Sequence, residues 1–272
     1  MRFDAYAGNV RGSSPEEVAS MCAWSISGKV ERGRPRGRYH DVFDVLDGTA
    51  SIGWVGHDPQ LDTAYFEFKG ERTPDTAGAV RKHWHMRHTV SRLDSCEDYN
   101  DPDAYERLAA IMDASADPRV KSREIRPRRG EEAGRTAYWG APTSQVMVRV
   151  YEAGLMKERR ILGRPHWVRA EAQVRPAKSI LKQAASQCSP LDVWGFSSWS
   201  TRAAERMAQV EVQRFTAPSS PVCFDRSTLY IARAHRRHLE EMLATFGDWE
   251  CVGREFAAIW QADDEGEPNA DR

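Results

Sequence analysis

The sequence predicts an α+β fold, with an antiparallel β-sheet, helices packed on one face, a candidate site on the polar sheet face and a mainly helical C-terminal part. Three observations carry this. Two segments between Gly134 and Pro176 alternate polar and apolar residues with period two, several runs follow helical spacing behind capping signals, and Asp-Gly and Asp-Pro turns separate the strand-like stretches.

The alternating segments are the most informative. Val146, Val148 and Val150 fall on one side of a strand, and Met147, Arg149 and Tyr151 on the other. In the next strand Val168, Ala170, Ala172 and Val174 point one way, whereas Trp167, Arg169, Glu171, Gln173 and Arg175 point the other. Burying unpaired arginines and glutamates costs several kcal/mol each, so this second face is either solvated or a site. A solvated sheet with cross-strand ion pairs is the plainer alternative. As chemistry, the face offers a phenol beside carboxylates and guanidiniums. A tyrosine hydroxyl, with an ordinary pKa of about 10, attacks a phosphodiester only with help from cations or a metal.

In chain order, Ser14-Pro15-Glu16-Glu17 is a capping box, and a short helix opens the fold. Gly28 to Arg38, with five basic residues among three glycines and a proline, reads as a mobile loop able to lie against phosphates or stay in water. Strand-like runs follow from Val42 to Glu71, with Ala64 to Phe68 the clearest. A helix from Asp75 to about His88 leads into a strand from Thr89 to Cys96, which sets Arg92, Asp94 and Cys96 on one face; Asp98 joins them if the strand runs on. Asn100-Asp101-Pro102 caps a helix with Tyr105, Leu108, Ile111 and Met112 inward, and a basic loop spans Pro118 to Arg135. Beyond Pro176 come a helix to about Cys188 with Ile180, Leu181 and Ala184 inward, a second from Thr201 to Val212, and a long one capped by Asp225. No internal repeat is visible. The expected division is a domain over 1–190, a helical part over 191–260 and a disordered acidic tail over 261–272.

Composition excludes several classes. No run of about 18 apolar residues allows a membrane helix, and the first residues lack a secretory pattern, so a cytoplasmic location is the expectation. Five dispersed cysteines without a Cys-x-x-Cys pair argue against a disulfide framework and a zinc knuckle. There is no nucleotide-binding glycine motif. A formal net charge of -1 hides an uneven distribution: Arg81 to Lys182 carries 21 Lys plus Arg against 14 Asp plus Glu, and the rest is acidic. That is the footprint of a surface for a polyanion.

Arg92-Leu93-Asp94 with Asp98, then Gly134-Arg135-Thr136-Ala137-Tyr138-Trp139-Gly140, then Val148-Arg149-Val150-Tyr151-Glu152, then Trp167-Val168-Arg169-Ala170-Glu171 form an ordered series. Over roughly residues 89 to 182 it resembles the trans-acting rolling-circle replication initiation factors of plasmids and filamentous phages. The resemblance implies that Tyr151 nicks one DNA strand at an origin, becomes joined to the 5' phosphate and frees a 3' hydroxyl as primer. It also implies that Asp94, Glu171 and Asp98 hold a divalent metal, Mg2+ or Mn2+, and it suggests a homodimer and a host helicase as partners. Arg92, Arg149, Lys157, Arg159, Arg160, Arg164, Arg169 and Arg175 are the expected DNA-binding residues, mostly through phosphates. Trp139 and Trp167 are candidates for base contact. One departure is Ala153, where the family usually has a lysine two residues after its tyrosine.

Two alternatives belong beside this reading. The chain is a sequence-specific DNA-binding regulator that kept the fold and lost the chemistry, or a tyrosine nickase whose metal is held by His83 and His85. The second needs a strand at 83–85, because histidines two apart on a helix diverge by about 200°.

Overall fold

The computed structural model describes residues 1–85, 87–127, 133–156, 162–209, 212, 214–215, 236–248 and 251–253. The chain forms two compact units, 1–217 and 218–272. In the first, the strands are β1 (Arg2–Val10), β2 (Lys29–Arg32), β3 (His40–Asp47), β4 (Ala50–Asp58), β5 (Thr63–Lys69), β6 (His88–Asn100), β7 (Ser122–Ile125), β8 (Thr136–Trp139), β9 (Val146–Tyr151) and β10 (Trp167–Val174). The helices are α1 (Pro15–Ser25), α2 (Thr73–His83), α3 (Ala104–Ser115), α4 (Ser179–Gln187) and α5 (Ser198–Ala208). The second unit contains α6 (Arg236–Phe246). Among the described residues, no helix is long and apolar enough to cross a membrane.

All ten strands make one antiparallel sheet in the order β2-β3-β4-β5-β1-β6-β10-β9-β8-β7. This order contains a repeat that the residues do not advertise. Each half runs strand, helix, four strands, helix, and in each half the first strand pairs with the last. β1-α1-β2-β3-β4-β5-α2 thus corresponds to β6-α3-β7-β8-β9-β10-α4, and the halves meet where β1 and β6 pair. Because that seam is antiparallel, the two halves are related by a pseudo-twofold axis normal to the sheet, which brings both sets of helices to one face.

That face holds the core. Tyr6, Phe66, Phe68, Leu93, Val148, Val150, Ala170, Ala172 and Val174 of the sheet pack with Val18 and Cys22 of α1, Val80 of α2, Leu108 and Met112 of α3, and Leu181 of α4. Ser14 caps α1 as expected, its Oγ accepting the Glu17 amide at 3.1 Å. The short 3-10 turn Asp192–Phe196 and α5 belong to the first unit, where Arg202 on α5 donates to Asp117 and to the Ser115 carbonyl.

Several expectations need correction. The fold opens on β1, not on a helix; β1 escaped notice because a bulge at Asp4 breaks its alternation, turning Tyr6 to the core although Arg2 and Asp4 lie on the open face. Part of the basic Gly28–Arg38 stretch is the edge strand β2, paired with β3. Within the basic link, β7 pairs with β8. The α4 stripe is rotated: Ile180 is 53% exposed, and Leu181 and Ala185 face inward. The helix capped by Asp225 falls largely outside the described residues.

Candidate functional site

The site lies on the open face, where β6, β10 and β9 run side by side. Register sets the chemistry. Glu171 of β10 stands opposite Arg149 of β9, Arg169 stands between Asp98 and Tyr151, and Asp94 stands opposite Gln173. Opposite charges directly across neighbouring strands attract, which is one reason these segments pair in this register. β6 runs through to Asn100, so Asp98 does share the face of Arg92 and Asp94.

The centre of this polar face is shielded from solvent, although Arg2, Arg92, Asp98 and Arg149 around it are half-exposed. Glu171 is 1% exposed, Asp94 and Arg169 2% each, and Tyr151 4%. Such burial is tolerable because each ion is paired. Arg149 Nη2 reaches both Glu171 oxygens at 2.6 and 2.7 Å, and its guanidinium lies 5.1 Å from the Tyr151 ring centroid. The Tyr151 hydroxyl donates to Glu171 Oε2 at 3.5 Å. Arg92 grips Asp94 through Nε and Nη2, and Gln173 Nε2 donates to Asp94 at 3.2 Å. Tyr151, Ala153, Trp167 and Met156 make a small apolar cluster beside these ions. Gly154, next in the turn, is required there, because a Cβ would meet the Arg164 carbonyl at 1.8 Å.

Arg169 and Asp98 tie three strands together. Arg169 donates to Asp98 through Nε at 2.7 Å and Nη2 at 3.0 Å, and to Asp4 of β1 through Nη1 at 2.9 Å. Asp98 also accepts from Arg2 and from Trp167 Nε1, each at 2.8 Å. Burial alone would raise the Asp98 carboxyl, but the hydrogen bonds from Arg169, Arg2 and Trp167 win and hold it at about 2, against an ordinary 3.8. A depressed carboxyl stabilises the fold above its unfolded pKa, and that stabilisation is lost as pH falls from about 3.8 toward 2. The shift is worth about 2 kcal/mol. Asp98→Asn should therefore lose that increment at pH 6 and differ little from the parent at pH 2, as read by urea denaturation at the two pH values.

Glu171 shifts the other way. Burial raises its carboxyl, and the like charges of Asp94 and Asp4 add to this, while Arg149 opposes them. Arg149 has a buried Nε with no hydrogen-bond partner among the described residues, a donor held beside the phenol.

The other sequence candidates scatter. Arg164 and Arg175 are exposed and Arg92 and Arg149 half-buried. Arg169 is interior with its donors spent on carboxylates, which does not suit the DNA-facing placement expected of it. Asp98 is bonded to two guanidiniums and an indole, Asp94 to Arg92 and Gln173, and Glu171 to Arg149, so all three expected metal ligands are already engaged by cations. Lys157, Arg159 and Arg160 lie outside the described residues. Trp139 turns to the helical face, its Nε1 on Asp113 of α3. His83 ends α2 and His85 follows it, both exposed on the helix-covered side away from Tyr151, so they form no His-x-His strand pair. Asp4 and Arg2 are site residues that sequence reasoning passed over; an Arg-x-Asp alternation at the start of β1 was the available signal.

Among solved structures, the chain is similar to the rolling circle replication initiator protein from Geobacillus stearothermophilus, with a TM-score of 0.50 over 81% of this chain and 88% of that one, at 17% identity. The two share a fold. No family profile and no curated protein matches the sequence. The α+β architecture with its antiparallel sheet is thus shared with that protein, and the Tyr151 cluster is a candidate site on it.

Proposed function

We propose that the protein initiates rolling-circle replication, nicking one strand of an origin through Tyr151. The observation that carries this reading is the Tyr151 hydroxyl, set 3.5 Å from Glu171 and beside Arg149 on the open face of an initiator-type fold. The Tyr151 oxygen attacks phosphorus, forming a P–O bond as the bond to the 3' oxygen breaks. The phenol proton passes to Glu171, the carboxylate that already takes its hydrogen bond, and the departing 3' oxygen gains a proton from solvent to become the primer hydroxyl. Arg149, whose cation is reinforced by Glu171 and Tyr151 despite the cost of burial, steadies the phenolate. Arg149, two residues before Tyr151, takes the part of the family lysine that Ala153 replaces; Ala153 itself is buried in the turn after β9.

A divalent metal fits this site in part. Asp94 and Glu171 are diagonal neighbours on paired strands, and two hard oxygen ligands completed by water and substrate phosphate suit Mg2+ or Mn2+. Among the described residues, no group of three acidic, histidine or cysteine side chains converges as a ready cage. When bound, such an ion would polarise the scissile phosphate. The resemblance extends the proposal to a homodimer and a host helicase as partners.

The test is incubation with a supercoiled origin plasmid and Mg2+ or Mn2+. Nicking with a denaturation-resistant protein–DNA adduct supports the enzyme; tight binding without either supports the regulator. The acid limb of the rate is a second check. Glu171 must be ionised to accept a proton, and its carboxyl titrates above the ordinary 4.5, so nicking should fall with decreasing pH above that value. Asp4→Asn removes one of the like charges and should move the limb to lower pH in single-turnover profiles. A limb that stays in place removes Asp4 from the electrostatics of Glu171.

A further inference from the structure

We propose that Tyr39, Trp54 and Tyr65, with Arg36 and Arg38, form a stacking platform for unpaired bases of the DNA strand leading away from the scissile phosphate. The proposal rests on the reading of the Tyr151 site as a strand-nicking centre and adds a second binding site on the same open face.

The platform is built rather than incidental. Phe66 and Phe68 of β5 enter the core, so Tyr65 and Glu67, which alternate with them, project to the open face, and Trp54 of β4 stands opposite Glu67. Tyr39 stacks on Tyr65 with ring centroids 4.6 Å apart and planes at 20°, and Trp54 lies 5.2 Å from each. Tyr39 reaches this position because Gly56 beneath it lacks a side chain; a Cβ there would meet Tyr39 Cβ at 3.3 Å and the Trp54 ring at 3.2 Å. Two guanidiniums are then laid on the rings. Arg36 sits 5.1 Å from the Trp54 centroid, held by Asp44 at 2.5 Å. Arg38 sits 5.2 Å from that of Tyr39, held by Asp58 at 2.7 Å and Gln60 at 2.5 Å, and Asp58 is wholly buried.

The occupant follows from chemistry and from position. Half-exposed aromatic faces interleaved with fixed guanidinium planes suit a flat π system bearing negative charge nearby, which is what an unpaired nucleotide presents and a closed duplex hides. The basic stretch Gly28–Arg38, unexplained by the nicking chemistry, supplies Arg36, Arg38 and the exposed Arg34 to this edge. The platform also has a counterpart within the fold. β5 lies between β1 and β4 as β10 lies between β6 and β9, so Glu67 opposite Trp54 corresponds in topology to Glu171 opposite Arg149. The duplicated position thus carries rings where the other half carries the reactive cluster. Four strand spacings from β9 to β5 amount to roughly 19 Å, or about six nucleotides at a stacked rise of about 3.4 Å.

The experiment measures anisotropy of a labelled 12-nucleotide oligothymidine on the full-length Tyr151→Phe protein, so that cleavage does not intervene. Tyr39→Leu in that background should weaken binding about tenfold, within the 5- to 150-fold worth of one base stack, with an unchanged salt slope. Replacing the bases with abasic nucleotides should weaken the parent comparably and Tyr39→Leu much less. Arg36→Gln with Arg38→Gln, both exposed, provides the same comparison should Tyr39→Leu fail to fold. Equal binding by parent and variants overturns the proposal, as does an abasic penalty of the same size in all of them. The nicking assay on the unmodified protein separates the two readings: adduct formation without base dependence removes the platform alone, and base-dependent binding without adduct removes the nickase alone.

Discussion

Tyr151→Phe is expected to bind origin DNA as tightly as the parent and to lose at least about 10³-fold in nicking, together with all covalent adduct. The substitution is narrow. Phenylalanine keeps the ring under Arg149 and its packing against Trp167 and Ala153, and it removes only the oxygen whose contact with Glu171 is 3.5 Å long. Losing one such long hydrogen bond to a carboxylate costs about 1.5 kcal/mol, too little to unfold the unit. What disappears is the nucleophile, which neither Glu171 nor solvent replaces. Tyr138 is the informative control. It stands opposite Arg149 on the same face, with Arg123 5.0 Å from its ring centroid, so it is the other phenol near the cluster. Tyr138→Phe should nick normally; full nicking by Tyr151→Phe with loss in Tyr138→Phe would move the chemistry one strand outward.

Removing Arg169 should produce the largest loss of stability. Its guanidinium satisfies Asp98 twice and Asp4 once from a position 2% exposed. Arg169→Ala leaves two carboxylates facing one another across β1, β6 and β10 without their shared cation, a change worth about 3–5 kcal/mol. For a unit of this size that corresponds to roughly 10 °C in Tm by calorimetry. Arg169→Met with Asp98→Leu should recover much of the loss, because well-packed apolar residues replace a buried ion pair at little net cost. Equal melting of Arg169→Ala and the parent would show that the three-strand tie contributes nothing.

Much of the second half was legible because its strands keep strict alternation: the valines of β9 and the small residues of β10 leave only one register in which both bury. Burial of the opposite face was not legible. It depends on arginines of β9 and β10 finding carboxylates on β10, β6 and β1, partners 22 to 165 residues distant, and local pattern cannot separate such a face from a solvated one. β1 was hidden by two breaks in its register with β6, and β2 by its glycine- and arginine-rich surroundings. The repeat escaped because it resides in connectivity: Glu67 and Glu171 occupy related places, yet Trp54 and Arg149 opposite them share no chemistry.

The seam between β1 and β6 has a further consequence. Both strands are long, and each offers a full ladder of amide donors and acceptors that only the other strand in the molecule satisfies. A polypeptide ending after α2 would therefore carry a naked, apolar-backed border with strong affinity for any complementary chain. The two halves are obligate companions: each covers the inner edge of the other, so neither can be lifted out of the sheet intact.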